Sequence, residues 1–266
     1  MTLESRDGTF LFLGTGASAG VPVIGCSCKT CLSHNPKNKR LRSSALVTFQ
    51  NKNFLIDAGP DIRHQALTHH INRVDGLILT HTHFDHIGGL EELRIYNFLQ
   101  QQALPCLLSQ ESSLDMKQLF YYLFAEKVHG QNFTSEFDFT ILSENEGKVD
   151  FQGLPILYTS YNQGNMKVIG LRLGNLAYLT DIKTYSPEIF IFLKGVKTLI
   201  MSALRFTPSQ LHLTIDEAID FSEKVGAEAT YFMHLSHDVE YEHASSLLPK
   251  GIYLAYDGLK LNFEIP

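Results

Sequence analysis

The residues best equipped for chemistry are Thr80-His81-Thr82-His83-Phe84-Asp85-His86, directly after the apolar run Val74 to Leu79. Imidazoles and carboxylates this dense at the mouth of a strand form a metal-ligand arrangement. Side chains alternate along extended chain, so His81 and His83 point to one side. Asp85 and His86 come where the chain turns toward a helix expected over Ile87 to Gln101, and they approach from another direction. One pair can hold one ion and the other pair a second. Such ligands suit zinc, manganese or iron. The competing reading is a histidine-rich surface loop.

A second cluster is Gly25-Cys26-Ser27-Cys28-Lys29-Thr30-Cys31. Met1 to Gly8 is polar, with neither a basic start nor a hydrophobic stretch, so no signal peptide is expected and the cytoplasm is the default compartment. In that setting thiols spaced by one and two residues read as metal ligands rather than disulfides. Three cysteines leave a tetrahedral zinc site one ligand short, and His237, three residues beyond His234, offers the fourth. Redox sensing is the alternative for these thiols. Cys106, in Leu104-Pro105-Cys106-Leu107-Leu108, is expected to be an ordinary buried cysteine.

The His81 to His86 spacing resembles the signature of the metallo-β-lactamase superfamily, and further motifs of that family follow in order. Asp57 closes Leu55-Ile56-Asp57, Asp181 closes Tyr178-Leu179-Thr180-Asp181, and His234 ends the run Thr230-Tyr231-Phe232-Met233. Each lies at the C-terminal end of an apolar run, where open sheets present ligand-binding loops. The resemblance implies one α/β hydrolase domain over residues 1–266, an αββα sandwich of two mixed sheets packed face to face with helices outside. It also implies one or two catalytic ions held by His81, His83, Asp85, His86, Asp181 and His234, with Asp57 shaping the site. Within the superfamily, the chain resembles the phosphoribosyl cyclic phosphodiesterase-like subgroup of phosphonate catabolism. There a three-cysteine motif and a paired histidine build a structural zinc site, here Cys26, Cys28, Cys31 and His237. His212, just ahead of a helix, resembles that subgroup's histidine that assists the leaving group, so His212 and Asp85 are the catalytic candidates.

Length and composition fit this frame. A chain of 266 residues with 44% apolar content can bury a sizeable core. No apolar run approaches the ~20 residues that span a bilayer. A net charge of −6 disfavours an extended nucleic-acid surface. The Gly14 to Gly20 run matches neither the dinucleotide fingerprint nor a P-loop, and reads as a tight loop near the site. Strands are expected at Thr9 to Leu13, Ala45 to Phe49, Asn53 to Asp57, Phe139 to Leu142, Leu154 to Thr159, Val168 to Leu173, Leu176 to Thr180, Thr198 to Ser202 and Thr230 to Met233. Thr214 and Glu217 form a capping box for a helix over Ile215 to Val225 that Gly226 stops. Ser109 to Glu126 reads as a surface helix or lid whose Phe120, Tyr121, Tyr122 and Phe124 belong to the core. Asp257-Gly258 reads as a hairpin turn. Lys37 to Arg42 reads as a solvated basic loop, with phosphate contact by Arg42 as the minority reading. His64, His69, His70, His129 and His243 are expected at the surface.

One position departs from the family. Where another histidine is normal, this chain has Gln163, a weak neutral ligand or a substrate contact, tolerable to a harder ion than zinc. The ion at His81 and His83 then keeps only Asp181 as a further strong ligand. Two ions about 4 Å apart can share a hydroxide nucleophilic near neutrality, so the expected reaction is hydrolysis of a small cyclic or simple phosphodiester. Other readings are a tRNA 3′-end-type endonuclease, a thioester or lactone hydrolase, and a non-catalytic zinc-binding module. No interface is legible, although dimers are common among relatives.

Overall fold

The structure is a computed structural model that describes residues 7–125 and 134–265. Expectations for Met1 to Arg6, Glu126 and His129 fall outside those residues. The strands are β1 (Asp7–Gly14), β2 (Ser44–Phe49), β3 (Lys52–Ile56), β4 (Gly76–Ile78), β5 (Leu104–Ser109), β6 (Phe137–Leu142), β7 (Glu146–Phe151), β8 (Leu154–Gln163), β9 (Met166–Leu173), β10 (Leu176–Leu179), β11 (Thr198–Ser202), β12 (Ala229–Met233), β13 (Ile252–Leu254) and β14 (Lys260–Glu264). They form two seven-stranded sheets, ordered β14-β1-β2-β3-β4-β5-β6 and β13-β12-β11-β10-β9-β8-β7. In the first sheet the pairs from β14 to β3 are antiparallel and those from β3 to β6 parallel. The second repeats the plan, antiparallel from β7 to β10 and parallel from β10 to β13.

Three apolar layers follow from the side-chain pattern. Between the sheets, Phe10 of β1 meets Tyr178 of β10 at 5.5 Å and Phe54 of β3 meets Phe151 of β7 at 6.1 Å. Full burial of each phenylalanine ring contributes roughly 1.5–3 kcal/mol. Outside the second sheet, the helix Ile215–Val225 buries Ile215, Ala218 and Phe221 along one stripe. Outside the first sheet, Ile62, Leu90, Leu93, Tyr96 and Met116 cover the other face. The αββα sandwich is therefore the observed architecture. Among the described residues no helix is long and apolar enough to cross a membrane.

Local signals place several joints. Phe49 pairs with Lys52 across Gln50 and Asn51, both left-handed, as a two-residue hairpin requires. The Thr214 hydroxyl accepts the Glu217 N–H while the Glu217 carboxylate accepts the Thr214 N–H, and left-handed Gly226 ends the helix.

Four expectations need correction. The helix expected over Ile87 to Gln101 is broken into Phe84–Ile87, a 3-10 turn Leu90–Leu93 and Arg94–Gln100. Gly88 and Gly89 separate the pieces, and a side chain at Gly89 would run into the Gly59 carbonyl, so close backbone approach sets the break. The Ser109 segment is likewise two helices, Gln110–Leu119 and Tyr121–Phe124. Its aromatic group is not core: Tyr121 is 72% exposed and Tyr122 and Phe124 are open to solvent, while Phe120 is partly buried. Asp257-Gly258 is no hairpin, because β13 and β14 belong to different sheets. Asp257 instead accepts the Thr15 N–H and hydroxyl and the Leu41 N–H, which ties that crossover to the Gly14 to Gly20 loop. Arg42 is not free for phosphate: it pairs with Asp61 at 2.9 Å and donates to the Ser18 carbonyl.

Candidate metal centre

The ligand-bearing residues meet where β3, β4, β8, β10 and β12 end. The ligands Asp181 and His234 and the supporting Asp57 each follow a strand end closely in the left-handed conformation, with φ of 53°, 57° and 58°. Asp and His tolerate that region better than branched residues, yet it is uncommon for any side chain. The turn reverses the chain abruptly, so each side chain is aimed across the edge of the sheets. Ile169 of β9 donates to the Thr80 carbonyl, which joins the two sheets at the same place.

His81, His83 and Asp181 form one group of convergent donors, and Asp85, His86 and His234 form another. His81 Nε2 and His83 Nδ1 are 3.0 Å apart. Asp181 lies between the groups: its Oδ2 is 3.2 Å from His86 Nε2 and its Oδ1 is 3.3 Å from His234 Nε2. Asp85 Oδ2 is 3.4 Å from His234 Nε2. The second group is entirely buried, whereas His83 is half-buried at the outer edge. Gly59 has no room for a side chain beneath the Asp85 carbonyl, which fixes the depth of the Phe84–Ile87 turn.

The residues fit a bound cation. His86 Nδ1 lies 2.7 Å from Asp57 Oδ2, which places a proton on that nitrogen and turns Nε2 toward Asp85 and Asp181. Nε2 is buried without a hydrogen bond, so a lone pair there would face carboxylate oxygens unless a cation stands between. Electrostatics show the same demand. Burial opposes charge on His86, but Asp181 and Asp57 outweigh it and hold its pKa well above the ordinary imidazole range. Asp181 behaves conversely: burial disfavours its charge, yet His234 and His86 keep it well below the usual carboxylate range.

Asp57 shapes the centre from behind rather than entering it. It accepts the Thr80 N–H at 2.8 Å and the Thr80 hydroxyl at 2.7 Å while holding His86. Partners that orient a ligating histidine are typically worth about 10–100-fold in metal affinity. Asp57→Ala should weaken binding of the inner ion by that factor in calorimetric titration of metal-stripped protein. An unchanged isotherm from a folded variant contradicts this role.

Gln163 and His212 complete the rim. Gln163, at the end of β8, donates from Nε2 to Asp181 Oδ1 at 3.1 Å and stands 2.9 Å from His212 Nε2. A carboxylate only accepts hydrogen bonds, so the amide nitrogen faces Asp181. His212 Nε2 is then the acceptor and its proton sits on Nδ1, 3.6 Å from Asp181 Oδ1. The His212 ring stacks on His234 at 4.8 Å. Burial and the neighbouring His234 push His212 down to about 4, so it is neutral at neutral pH.

The thiol cluster is assembled as well. Cys26, Cys28 and Cys31 place Sγ 3.3, 3.5 and 3.7 Å from His237 Nδ1. Four donors around one point suit a closed tetrahedral zinc site. The Cys31 N–H on Cys28 Sγ, opposed by burial and helped by His237, takes that thiol down to about 6. Cys106 is fully buried and away from this group, and burial pushes its thiol up. His234 and His237 share one pinned segment. Leu235 exchanges backbone hydrogen bonds with Thr15 and Ala17, and buried Arg40 donates to the Ser236 carbonyl.

Several supports of the centre lie outside the ligand motifs. Thr80 and Thr180 each precede a ligand, and the Thr180 hydroxyl donates to Asp181 Oδ2 at 2.6 Å. That doubled Thr-before-ligand pattern was available as a signal. Asp115 accepts the Thr82 hydroxyl at 2.8 Å from a distant helix, and no local pattern announces it. His64, His70 and His243 are exposed and His69 is partly so, as expected.

The beta-lactamase superfamily domain matches residues 52–235, and the chain belongs to the metallo-β-lactamase superfamily of hydrolases. Within it, a diphosphatase of the PhnP family is 35% identical and superposes with a TM-score of 0.90 over 97% of this chain and 98% of its own. That likeness supports the phosphodiesterase-like subgroup. An octanoyltransferase of Porphyromonas gingivalis is 34% identical over 94% of this chain, which spans only 50% of that relative's length. Anti-Pycsar protein Apyc1 of Bacillus phage BSP38 is 26% identical over 76% of this chain and 85% of its own.

Proposed function

We propose that this chain hydrolyses a small cyclic or simple phosphodiester at the centre between the two sheets. The observation that carries this reading is His212, directed with its Nδ1 proton toward Asp181 at the edge of the convergent donors. An ester with an alkoxide leaving group needs such a donor. The neighbouring diphosphatase of the PhnP family also acts on phosphate chemistry, as its name states.

The ions these residues would hold are Mn²⁺, Zn²⁺ or Fe, and when bound they would neutralise phosphate charge and acidify water. The chain's residues do the rest. Asp57 fixes the direction of His86, Asp85 and Asp181 supply anionic donors, and Asp181 is shared between the two groups. His212 presents an N–H to the departing oxygen, which stabilises charge that develops only in the transition state. Cys26, Cys28, Cys31 and His237 hold a structural zinc that keeps His234 in place. The partner is a small phosphodiester, in an acidic chain working in the cytoplasm, alone or as a homodimer.

The test compares leaving groups. His212→Ala should slow an alkyl or cyclic sugar phosphodiester by about 10²–10³-fold but bis(4-nitrophenyl) phosphate by much less, because nitrophenolate needs no donor. Equal losses on both contradict the role of His212. No metal-dependent cleavage of either ester by the native protein contradicts the function. Thioester hydrolysis is the second reading. The relative named for octanoyl transfer favours it, and it ranks second because that name describes a protein twice as long.

A further inference from the structure

The two halves of the centre are unequally built. The inner group, Asp85, His86 and His234, is buried on all sides, and His86 is locked by Asp57. The outer group has two imidazoles and the shared Asp181, with His83 half-buried. Gln163 takes the place of the further histidine expected there, and the neutral amide can offer only Oε1, a weaker donor than imidazole, which is buried here without a hydrogen-bond partner. Nε2, which has no lone pair to give, faces Asp181 and His212. Reversing the amide would set Oε1 against the Asp181 carboxylate at the position where Nε2 now donates. The same N–H engages Asp181 Oδ1, which also lies 3.3 Å from His234 Nε2, so this hydrogen bond bears on both groups and the difference between them rests on the ligand at Gln163.

We propose that the inner site holds its ion tightly and the outer site binds a second, exchangeable divalent ion weakly, so that free divalent metal switches the activity on. Gln163 sets that difference as a positioning residue. It offers the outer group a weaker ligand than histidine, whereas the three inner donors, Asp85, His86 and His234, are all in place. Since the loss of an outer-shell partner alone costs about 10–100-fold in affinity, a missing direct histidine ligand places the outer site at least about 100-fold weaker than the inner one. The switch rests on the proposed hydrolysis, but the inequality of the two sites does not.

Metal binding is read without substrate, which separates the two ideas. Native protein dialysed into metal-free buffer should retain two ions per chain by elemental analysis, the structural zinc and the inner ion. Calorimetric titration with Mn²⁺ should then show one further, weak event. Phosphodiester turnover, if the chain has it, should rise with the same half-saturating Mn²⁺ concentration. Gln163→His should retain three ions after dialysis, and its turnover should no longer respond to added metal. Three tightly held ions in the native protein, or no additional event on titration, overturn the proposal whatever the activity. A Gln163→His protein that folds but binds no more tightly than the native chain overturns the role of Gln163. Should that variant fail to fold, the native titration decides the inequality alone. Well-behaved metal binding without turnover of any phosphodiester contradicts the function proposed above and leaves the inequality standing.

Discussion

Asp181→Asn should abolish metal-dependent turnover, with a loss of about 10³-fold or more on any substrate the centre accepts. Removing one oriented hydrogen-bond donor from a reaction centre already costs about 10²–10³-fold, and Asp181 is placed to serve both halves of this one. Its Oδ2 addresses His86 and its Oδ1 addresses His234 and Gln163. Asparagine keeps the shape but removes the charge that burial tolerates only because His234 and His86 surround it. The amide would also present an N–H to histidines that are themselves donors or ligands. Elemental analysis of the variant should show fewer retained ions at unchanged secondary structure. Turnover within about 10-fold of the native protein would remove Asp181 from the mechanism, since general acid–base help alone is worth about 10²–10⁴-fold.

Cys28→Ser should have the largest effect on stability. The sulfur sits 3.5 Å from His237 Nδ1, so serine breaks the ligand set, while its hydroxyl can still accept the Cys31 N–H that caps the helix Lys29–Leu32. Structural zinc binding is folding free energy, on the order of 10 kcal/mol in small zinc domains. In a larger chain with its own core only part of that appears, and even a few kcal/mol lowers the midpoint of thermal unfolding by about 10 °C. Because His237 and His234 lie on one segment, the variant should also hold the inner ion less firmly. Calorimetry and elemental analysis together check both effects. A variant with unchanged zinc content and unfolding temperature would mean the thiols do not hold metal, and would return them to the redox reading.

What could be read from the sequence was what lies close together along the chain. His81, His83, Asp85 and His86 fall within six consecutive positions, and the switch from extended chain to a helical turn separates them into two directions. Asp57, Asp181 and His234 were legible because each follows an apolar run. Their left-handed backbone was not, since it is imposed by the way the chain must reverse over the sheet edge. The strand β7, mostly exposed and nearly devoid of apolar alternation, gave no periodic signal. Gly88 and Gly89 were written into a single helix because helical periodicity continues across them. The break is caused by the approach of Gly59, a contact distant in sequence. The aromatic group at Phe120 to Phe124 shows the opposite failure. Ring content suggested burial, but the short helix there turns Tyr121 and Tyr122 outward. For Gln163 the sequence showed the missing histidine but not the direction of the amide, which only the Asp181 contact reveals.

The proposed function is tested most directly by one set of parallel assays. Protein reconstituted with Mn²⁺ or Zn²⁺ is offered a chromogenic phosphodiester, an acyl thioester and a lactone under identical conditions, with Asp181→Asn as background. Metal-dependent cleavage of the phosphodiester is expected, well above the other two and lost in the variant. Preferential thioester or lactone hydrolysis, or no turnover above background from folded, metal-loaded protein, would contradict it.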